Sequence, residues 1–504
     1  MKHLALLYAR APRGLDAPLV TVEVHLSMGL PSFAIVGLPE AAVKESRERV
    51  RSAILNSGYE FPLHRITVNL APADLPKEGG RFDLAIAVGI LLASAQVHAT
   101  LSISAYEFAG ELALTGELRS VASLLPWAIA CKQASRALIL PQDNVGDALL
   151  CNGLSLWGAK TLREVCDHMM GLPVLVEQKG CAMIVESAVT VGDLQEVLGQ
   201  VLGKRALEIA AAGGHSMLMV GPPGSGKTML ASRLPGILPP LSETEALAVA
   251  AVHSLSTRGF STDQFGVRPF RAPHHTMSAV ALVGGGRPPK PGEISLAHYG
   301  VLFLDELPEF NRHALEALRE PLEARTITIS RAAFQYQFPA AFQWIAAMNP
   351  CPCGYYGDLV QNKCRCLPDQ VQRYQNRLSG PLLDRIDLYV DMPVLPQSVW
   401  LTPSASAGEG SASVRARVVA ARERQLARNG TINAWLAPRA LNECASPTEE
   451  DATWLKTAVA TLQLSARAYQ RIRKIARTVA DLADEPIILR PHWEEALLYR
   501  RRAG

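Results

Sequence analysis

Residues 221–228 read Gly221-Pro222-Pro223-Gly224-Ser225-Gly226-Lys227-Thr228, a complete G-x-x-x-x-G-K-[ST] phosphate loop. The apolar run Met217–Val220 before it reads as a short buried strand, and Met229–Leu234 after it as the start of a helix. That strand–loop–helix context is what the motif requires. The glycines let the backbone turn its N–H groups into an anion nest closed by a helix N-terminus. Lys227 is then placed to reach the β- and γ-phosphates, and the Thr228 hydroxyl to ligate Mg²⁺. The expected ligands are therefore ATP and Mg²⁺, held by all eight loop residues.

The chain around this loop has 504 residues, enough for about three domains. A net charge of +3 does not by itself indicate nucleic acid, so any basic surface must be local. No apolar run reaches membrane-spanning length, and Leu84–Val97 is broken by Gly89, Ser94 and Gln96. The N-terminal apolar stretch Leu4–Ala9 is too short for a signal sequence. Nine cysteines in a long chain argue against a disulfide framework, and the expected location is the cytoplasm.

Composition divides the chain into an α/β region over 1–168, a connector over 169–190 and a second α/β region over 191–395. A Ser/Gly/Ala-rich linker over 396–411 and an all-helical region over 412–504 follow. In the first region, strands are expected at Val20–His25, Phe33–Val36, Ile66–Leu70, Glu107–Leu114 and Arg136–Leu140. Helices are expected at Glu40–Ser57 and Phe82–Ala95.

In the second region, Val301–Leu304 is an apolar strand ending in Asp305 and Glu306. Asp305 suits a Mg²⁺-orienting carboxylate and Glu306 a group that orients or deprotonates the attacking water. A third strand, Gln343–Met348, ends at Asn349, either a turn residue before Pro350 or an amide that positions the same water. Arg385, between Asp384 and Asp387, is either a paired structural ion or an arginine finger supplied across a subunit interface. Arg467, Arg471 and Lys474 share one face of a helix opening at Leu464-Ser465-Ala466.

This ordered set resembles the AAA+ ATPases of the magnesium-chelatase-like branch, in particular the ComM/YifB family, over essentially the whole chain. Phe270–Thr276 and Met348–Gly354 belong to the same likeness. The resemblance implies a P-loop AAA+ parallel-sheet core and an all-helical lid. It also implies Asn349 as the sensor-1 residue, Arg385 as a trans-acting finger and Arg467 as sensor 2. The family's competence member implies a homo-hexameric, ATP-hydrolysing branch-migration helicase working on DNA in recombination or natural transformation. Two other activities stay open: a magnesium-chelatase motor subunit, against which the N-terminal domain speaks, and an ATP-driven protein remodeller or scaffold.

Thr326–Ser330 and Phe334–Phe338 alternate with period two around Arg331 and predict a β-hairpin. It is either structural or a pore-facing holder of DNA backbone. A second insertion, 271–293, carries Gly284-Gly285-Gly286 with Arg287 and Lys290, candidates for phosphate contact. Neither segment has a base-reading signature, so single-stranded, duplex or branched DNA would be bound without sequence specificity. His274-His275 is read as structural, with no metal assigned.

Cys351, Cys353, Cys364 and Cys366 form two C-x-C knuckles able to present a tetrahedral sulfur site for structural Zn²⁺. The five remaining cysteines read as ordinary buried thiols. Finally, Asp74–Asp83 and Gly110–Glu117 resemble the Lon-protease, ribosomal-S5-like α/β domain. Arg81 stands at the nucleophile position and Leu125 near that of the dyad lysine, so proteolysis is not expected. Lys44, Arg47, Arg49 and Arg51 form a basic helix cluster, a weak nucleic-acid signal.

Overall fold

The computed structural model describes residues 3–38, 40–180, 192–286, 289–331, 334–357, 363–395 and 408–500. The chain is α/β and separates into two compact units, residues 1–187 with 243–266, and residues 188–242 with 267–504. Among the described residues no helix is long and apolar enough to cross a membrane.

The N-terminal unit contains two four-stranded sheets. The first has the order Leu4–Arg10, Leu19–Ser27, Arg65–Ala71, Ser32–Val36, and the second Glu177–Lys179, Ser155–Ala159, Ala137–Pro141, Tyr106–Phe108. The N-terminal apolar stretch is thus a sheet strand, its residues paired with Leu19–His25. The expected strand over Glu107–Leu114 is two short ones, Tyr106–Phe108 and Glu111–Leu112. Helix Asp83–Ala93 packs on the first sheet, buried on nearly every side. Its approach depends on Gly89, where a methyl group would meet Val24 Cγ2 at 2.6 Å and Leu7 Cδ1 at 3.0 Å.

Helix Glu243–Ser254, which the sequence reading counts with the ATPase core, belongs to this N-terminal unit and packs on Leu124–Gln133. Its apolar face is short Ala and Val residues, among them Ala246, Val249 and Ala250, all buried. Nothing in their spacing names a partner.

The second unit is built on a five-stranded parallel sheet ordered Phe270–Arg271, Val301–Leu304, Gln343–Met348, Met217–Val220, Leu388–Asp391. The strands are nearly continuous apolar runs, as expected when helices cover both faces. The C-terminal helices Ser411–Asn429, Pro438–Cys444, Glu449–Thr461, Ala466–Leu482 and Arg490–Leu498 share one hydrophobic core with the sheet. Ile475, Val479 and Trp493 join Ile209, Met219, Phe303 and Ile345 in it. Arg422 donates to Ala211 O at 2.7 Å and Gln425 to Ala212 O at 3.2 Å, capping the open carbonyl end of helix Val201–Gly213. This is a P-loop AAA+ core with a helical C-terminal region.

Candidate active site

Strand order decides the geometry. The phosphate-loop strand lies beside the strand that ends at Asn349, and the strand ending at Asp305 lies beyond that one. All run parallel, with Val220 opposite Met348 and Leu304 opposite Ala346. The loop, the two acids and the amide therefore emerge at one edge of the sheet, where parallel α/β sheets hold their ligands.

Within the loop the glycines serve two different needs. Gly224 and Gly226 have φ of +77° and +85°, and a side chain there would point into open space. Gly221 has no unusual φ, but a Cβ on it would lie 2.2 Å from Met392 O. The following helix, Lys227–Ile237, carries no side-chain cap at its N-terminus. By contrast, Ser465 caps its helix by accepting from Ala468 N, and Thr448 caps the preceding helix by accepting from Asp451 N. The uncapped donors of the loop helix are free for an anion.

Lys227 is buried and folds back on its own loop. Its Nζ donates to Gly221 O at 2.7 Å, Pro222 O at 2.9 Å and Asn349 Oδ1 at 3.3 Å. Burial lowers its pKa from the ordinary lysine value, against the pull of Asp305 and Glu306. Thr228 Oγ1 donates to Asp305 Oδ2 at 2.6 Å, so the expected Mg²⁺ ligands already converge. Asp305 Oδ1 accepts from Glu306 N at 2.9 Å. Glu306 has φ of +52°, a conformation uncommon for a non-glycine residue. Its Oε2 lies 3.1 Å from His275 Nδ1.

Arg385 lies at the opposite edge. Its carbonyl accepts from Ser216 Oγ at 2.8 Å, and Ser216 immediately precedes the phosphate-loop strand. The length of that strand, four residues or about 13 Å, separates Arg385 from the loop. The guanidinium donates to Pro381 O at 2.6 Å and pairs with Glu323, while its Nε is buried without a partner among the described residues.

Helix Ala466–Leu482 meets the same edge: Arg471 donates to Ile386 O at 3.1 Å and lies 3.5 Å from Asp387. Arg467, one turn earlier and about 6 Å away along the helix, is exposed. Lys474 is spent on Ala434 O at 2.8 Å, so the basic face is only partly solvated. The structure thus gathers the eight loop residues, Asp305, Glu306 and Asn349, and keeps Arg385 and Arg467 apart from them.

The cysteines meet as their spacing requires. The sulfurs of Cys351, Cys353, Cys364 and Cys366 all lie within 4.8 Å of one another. Burial opposes the Cys353 thiolate, but the backbone N–H groups of Tyr355 and Arg365 and the neighbouring thiols outweigh it and bring it down to about 6. A backbone N–H of Cys353 favours the Cys366 thiolate. Desolvation and negative charge shared with Cys353 and Cys351 push that thiol up to about 12. One thiolate favoured and its neighbours opposed by like charge is a donor set that a dication would relieve, and four sulfurs fit zinc.

The cluster abuts the nucleotide loop. Gly354, with φ of +88°, leaves room where a Cβ would come within 2.6 Å of Pro223 Cδ. Of the other cysteines, Cys131, Cys151 and Cys166 are buried and Cys444 partly so, while Cys181 lies outside the described residues.

The two insertions touch. The hairpin forms as predicted, Thr326–Arg331 against Phe334–Pro339, with Ile327, Ile329 and Phe338 buried on one face. The 271–293 insertion is more ordered than a bare loop, with helix Ala279–Val283 and a small ribbon pairing Gly284 with Pro291 and Gly285 with Lys290. A Cβ on Gly284 would lie 2.8 Å from Ile329 Cδ1, which places the ribbon against the hairpin. Lys290 is exposed. Arg287 and the side chain of Arg331 lie outside the described residues.

In the N-terminal unit, Arg49 of the basic cluster is half-buried and bound to buried Asp83 at 2.7 Å, so its charge is already paired within the fold. His275 is the residue that sequence reasoning missed. The pair His274-His275 was visible, but no spacing rule ties residue 275 to Glu306.

The chain is similar to known proteins along nearly its whole length. Residues 193–399 match the family description "Magnesium chelatase, subunit ChlI", residues 22–144 "Subunit ChlI of Mg-chelatase", and residues 408–500 the subunit's C-terminal description. The N-terminal region thus matches a chelatase-named description too, so its presence does not separate the helicase from the chelatase reading. The uncharacterized protein YifB of Escherichia coli is 50% identical over 497 residues, covering 99% of this chain and 97% of that protein. Competence protein ComM of Haemophilus influenzae is 51% identical over 505 residues, with the same coverage. An uncharacterized protein of Mycobacterium tuberculosis is 41% identical over 484 residues, 94% of each. With ATP and Mg²⁺ implied by that kinship and a loop built to hold them, the chain belongs to the YifB/ComM family of magnesium-chelatase-like AAA+ proteins.

Proposed function

We propose that this protein is an ATP-hydrolysing DNA motor that works as a homo-hexameric ring on branched or duplex DNA, in recombination or natural transformation. The observation that carries the ring is the separation of the catalytic groups. The phosphate loop, Asp305, Glu306 and Asn349 sit at one edge of the sheet and Arg385 at the other, a strand length away. An arginine so placed does not reach its own nucleotide; released from its pair with Glu323, it would serve the nucleotide of a neighbouring copy. Arg467 lies toward that same edge and would serve from the same side. In the assembled site Lys227 leaves its loop carbonyls for the β- and γ-phosphates, and Thr228 with Asp305 holds the Mg²⁺. Mg²⁺ supplies charge neutralisation of the phosphates. Glu306 and Asn349 orient the attacking water, and Arg385 of the neighbour stabilises the charge that develops.

DNA as the track is supported by the similarity to ComM and by the adjoining insertions, with Lys290 exposed on one of them. Backbone contacts of this kind bind without reading sequence and weaken with salt. Zn²⁺ held by Cys351, Cys353, Cys364 and Cys366 would brace the segment between Asn349 and the hydrogen bond of Gln375 to Pro350 O.

The test is ATPase turnover with single-stranded, duplex and four-way-junction DNA at two salt concentrations. Stimulation is expected, greatest with junctions and lost at high salt. Turnover indifferent to every DNA, but raised by a porphyrin substrate or a protein partner, would move the assignment to a chelatase motor or a remodeller.

A further inference from the structure

Glu306 is an exposed carboxylate with a poorly restrained position. Its side chain is 53% exposed, its backbone is left-handed, and it follows the rigid strand by two residues. A water-orienting group must be held within a fraction of an ångström to be effective, and such a side chain has rotamer freedom to lose first. Among the described residues one side chain stands within donor reach of it. His275 Nδ1 is 3.1 Å from Oε2, and His275 itself is only 29% exposed.

The imidazole is in turn fixed from two sides. The His274 ring lies over it at 4.2 Å between centroids, and the Phe310 ring meets it edge-on at 6.5 Å. His274 is anchored through Nδ1 to Thr276 Oγ1 at 2.9 Å. Behind this segment, Arg271 grips Glu293 through a forked pair at 2.5 and 2.6 Å, closing the base of the insertion. The arrangement is base, orienting group and support, the same logic by which a third residue aligns a catalytic base elsewhere.

We propose that His275 is the positioning residue for Glu306. Its imidazole, 3.1 Å from one carboxylate oxygen, restrains that oxygen so that the other faces the attacking water. It makes the 271–293 insertion, which carries Lys290, the physical support of the catalytic carboxylate. The two histidines are then neither a metal pair nor mere filling, and the order of the insertion sets the turnover number. The inference rests on the reading of Glu306 as the water-orienting group.

The experiment uses the full chain and four variants: H275A, H275N, H274A and Glu306→Gln. Steady-state ATPase is measured with and without junction DNA, alongside affinity for a fluorescent ATP analogue and thermal unfolding. H275A is expected to lower kcat roughly tenfold to a hundredfold, with KM, analogue affinity and Tm unchanged. Asparagine carries an N–H near the position of Nδ1, so H275N should recover most of that loss, and H274A should fall between wild type and H275A.

Wild-type kcat in H275A, or no recovery in H275N, would overturn the proposal. So would a loss that appears in analogue affinity rather than in turnover. Glu306→Gln separates the two levels. If it turns over ATP normally the assignment of Glu306 fails. If it is inactive while H275A is normal, only the role of His275 fails.

Discussion

The N-terminal unit and the nucleotide site both bury or half-bury charged groups, but they treat them in opposite ways. Glu107 is fully buried and accepts from Arg10 Nε and Nη2 at 2.7 Å, from Trp127 Nε1 at 2.9 Å and from Arg136 at 3.4 Å. Asp83 is held by Arg49 at 2.7 Å, and Lys77, with no exposed surface, donates to Gly37 O at 2.8 Å and to Pro72 O. Each charge has permanent partners from distant parts of the chain. At the nucleotide site Lys227 rests on loop carbonyls, Thr228 spends its hydroxyl on a carboxylate, and a helix N-terminus stays uncapped. Saturated polar groups hold a fold together, whereas groups with replaceable partners wait for a ligand.

Substitutions test that contrast, beginning with the largest effect. Arg385→Ala should reduce ATP turnover about 10³-fold, since a finger is worth at least that, while the isolated subunit keeps its affinity for ATP. An equal loss of affinity would place Arg385 at its own nucleotide and break the two-edge geometry. In the N-terminal unit, Glu107→Ala leaves two guanidinium groups facing an emptied buried site and should cost about 3–5 kcal/mol in urea unfolding. Turnover of the protein that remains folded should be unaltered. If turnover fell with no loss of stability, the buried network would be part of the site after all.

Glu306→Gln should lower turnover by about a hundredfold or more while ATP binding persists and Tm is unchanged, because the side chain supports no packing. Chelation is the smallest test. Stripping metal from reduced protein should release zinc and lower Tm by a few degrees; release of no zinc removes the cysteine-site assignment. Gly354→Ala sharpens it, since a methyl there would crowd Pro223 and should weaken ATP binding with zinc still bound.

Much of the site is legible in the sequence, because its parts are local. A phosphate loop is eight consecutive residues, its acids end an apolar strand, and the four cysteines fall within sixteen positions. Period-two alternation sufficed for the hairpin over Thr326–Pro339, where Ile327 and Ile329 face inward. The helical C-terminal region was equally plain from the absence of strand patterning. The predicted strand over Glu107–Leu114 was wrong in its middle, where the chain changes partner: Ala109 N still bonds to Ile139 O of the parallel neighbour, Gly110 N turns to Arg81 O, and Glu111–Leu112 pairs with Leu118–Arg119. Apolar character alone does not show which backbone groups pair.

What the sequence by itself determined is the chemistry: a triphosphate loop, two acids, an amide and a set of thiols, each defined by neighbours a few residues away. Only the tertiary structure decided how those pieces are apportioned. It brought His275 to Glu306 and Gly354 to Pro223, and it set Arg385 a strand length from the loop. It also gave helix Glu243–Ser254 to the N-terminal unit. The reason is range. Covalent spacing dictates what a short segment presents, whereas strand order and the packing of small apolar faces are settled among residues 30 to 170 positions apart, where no local pattern records the partner.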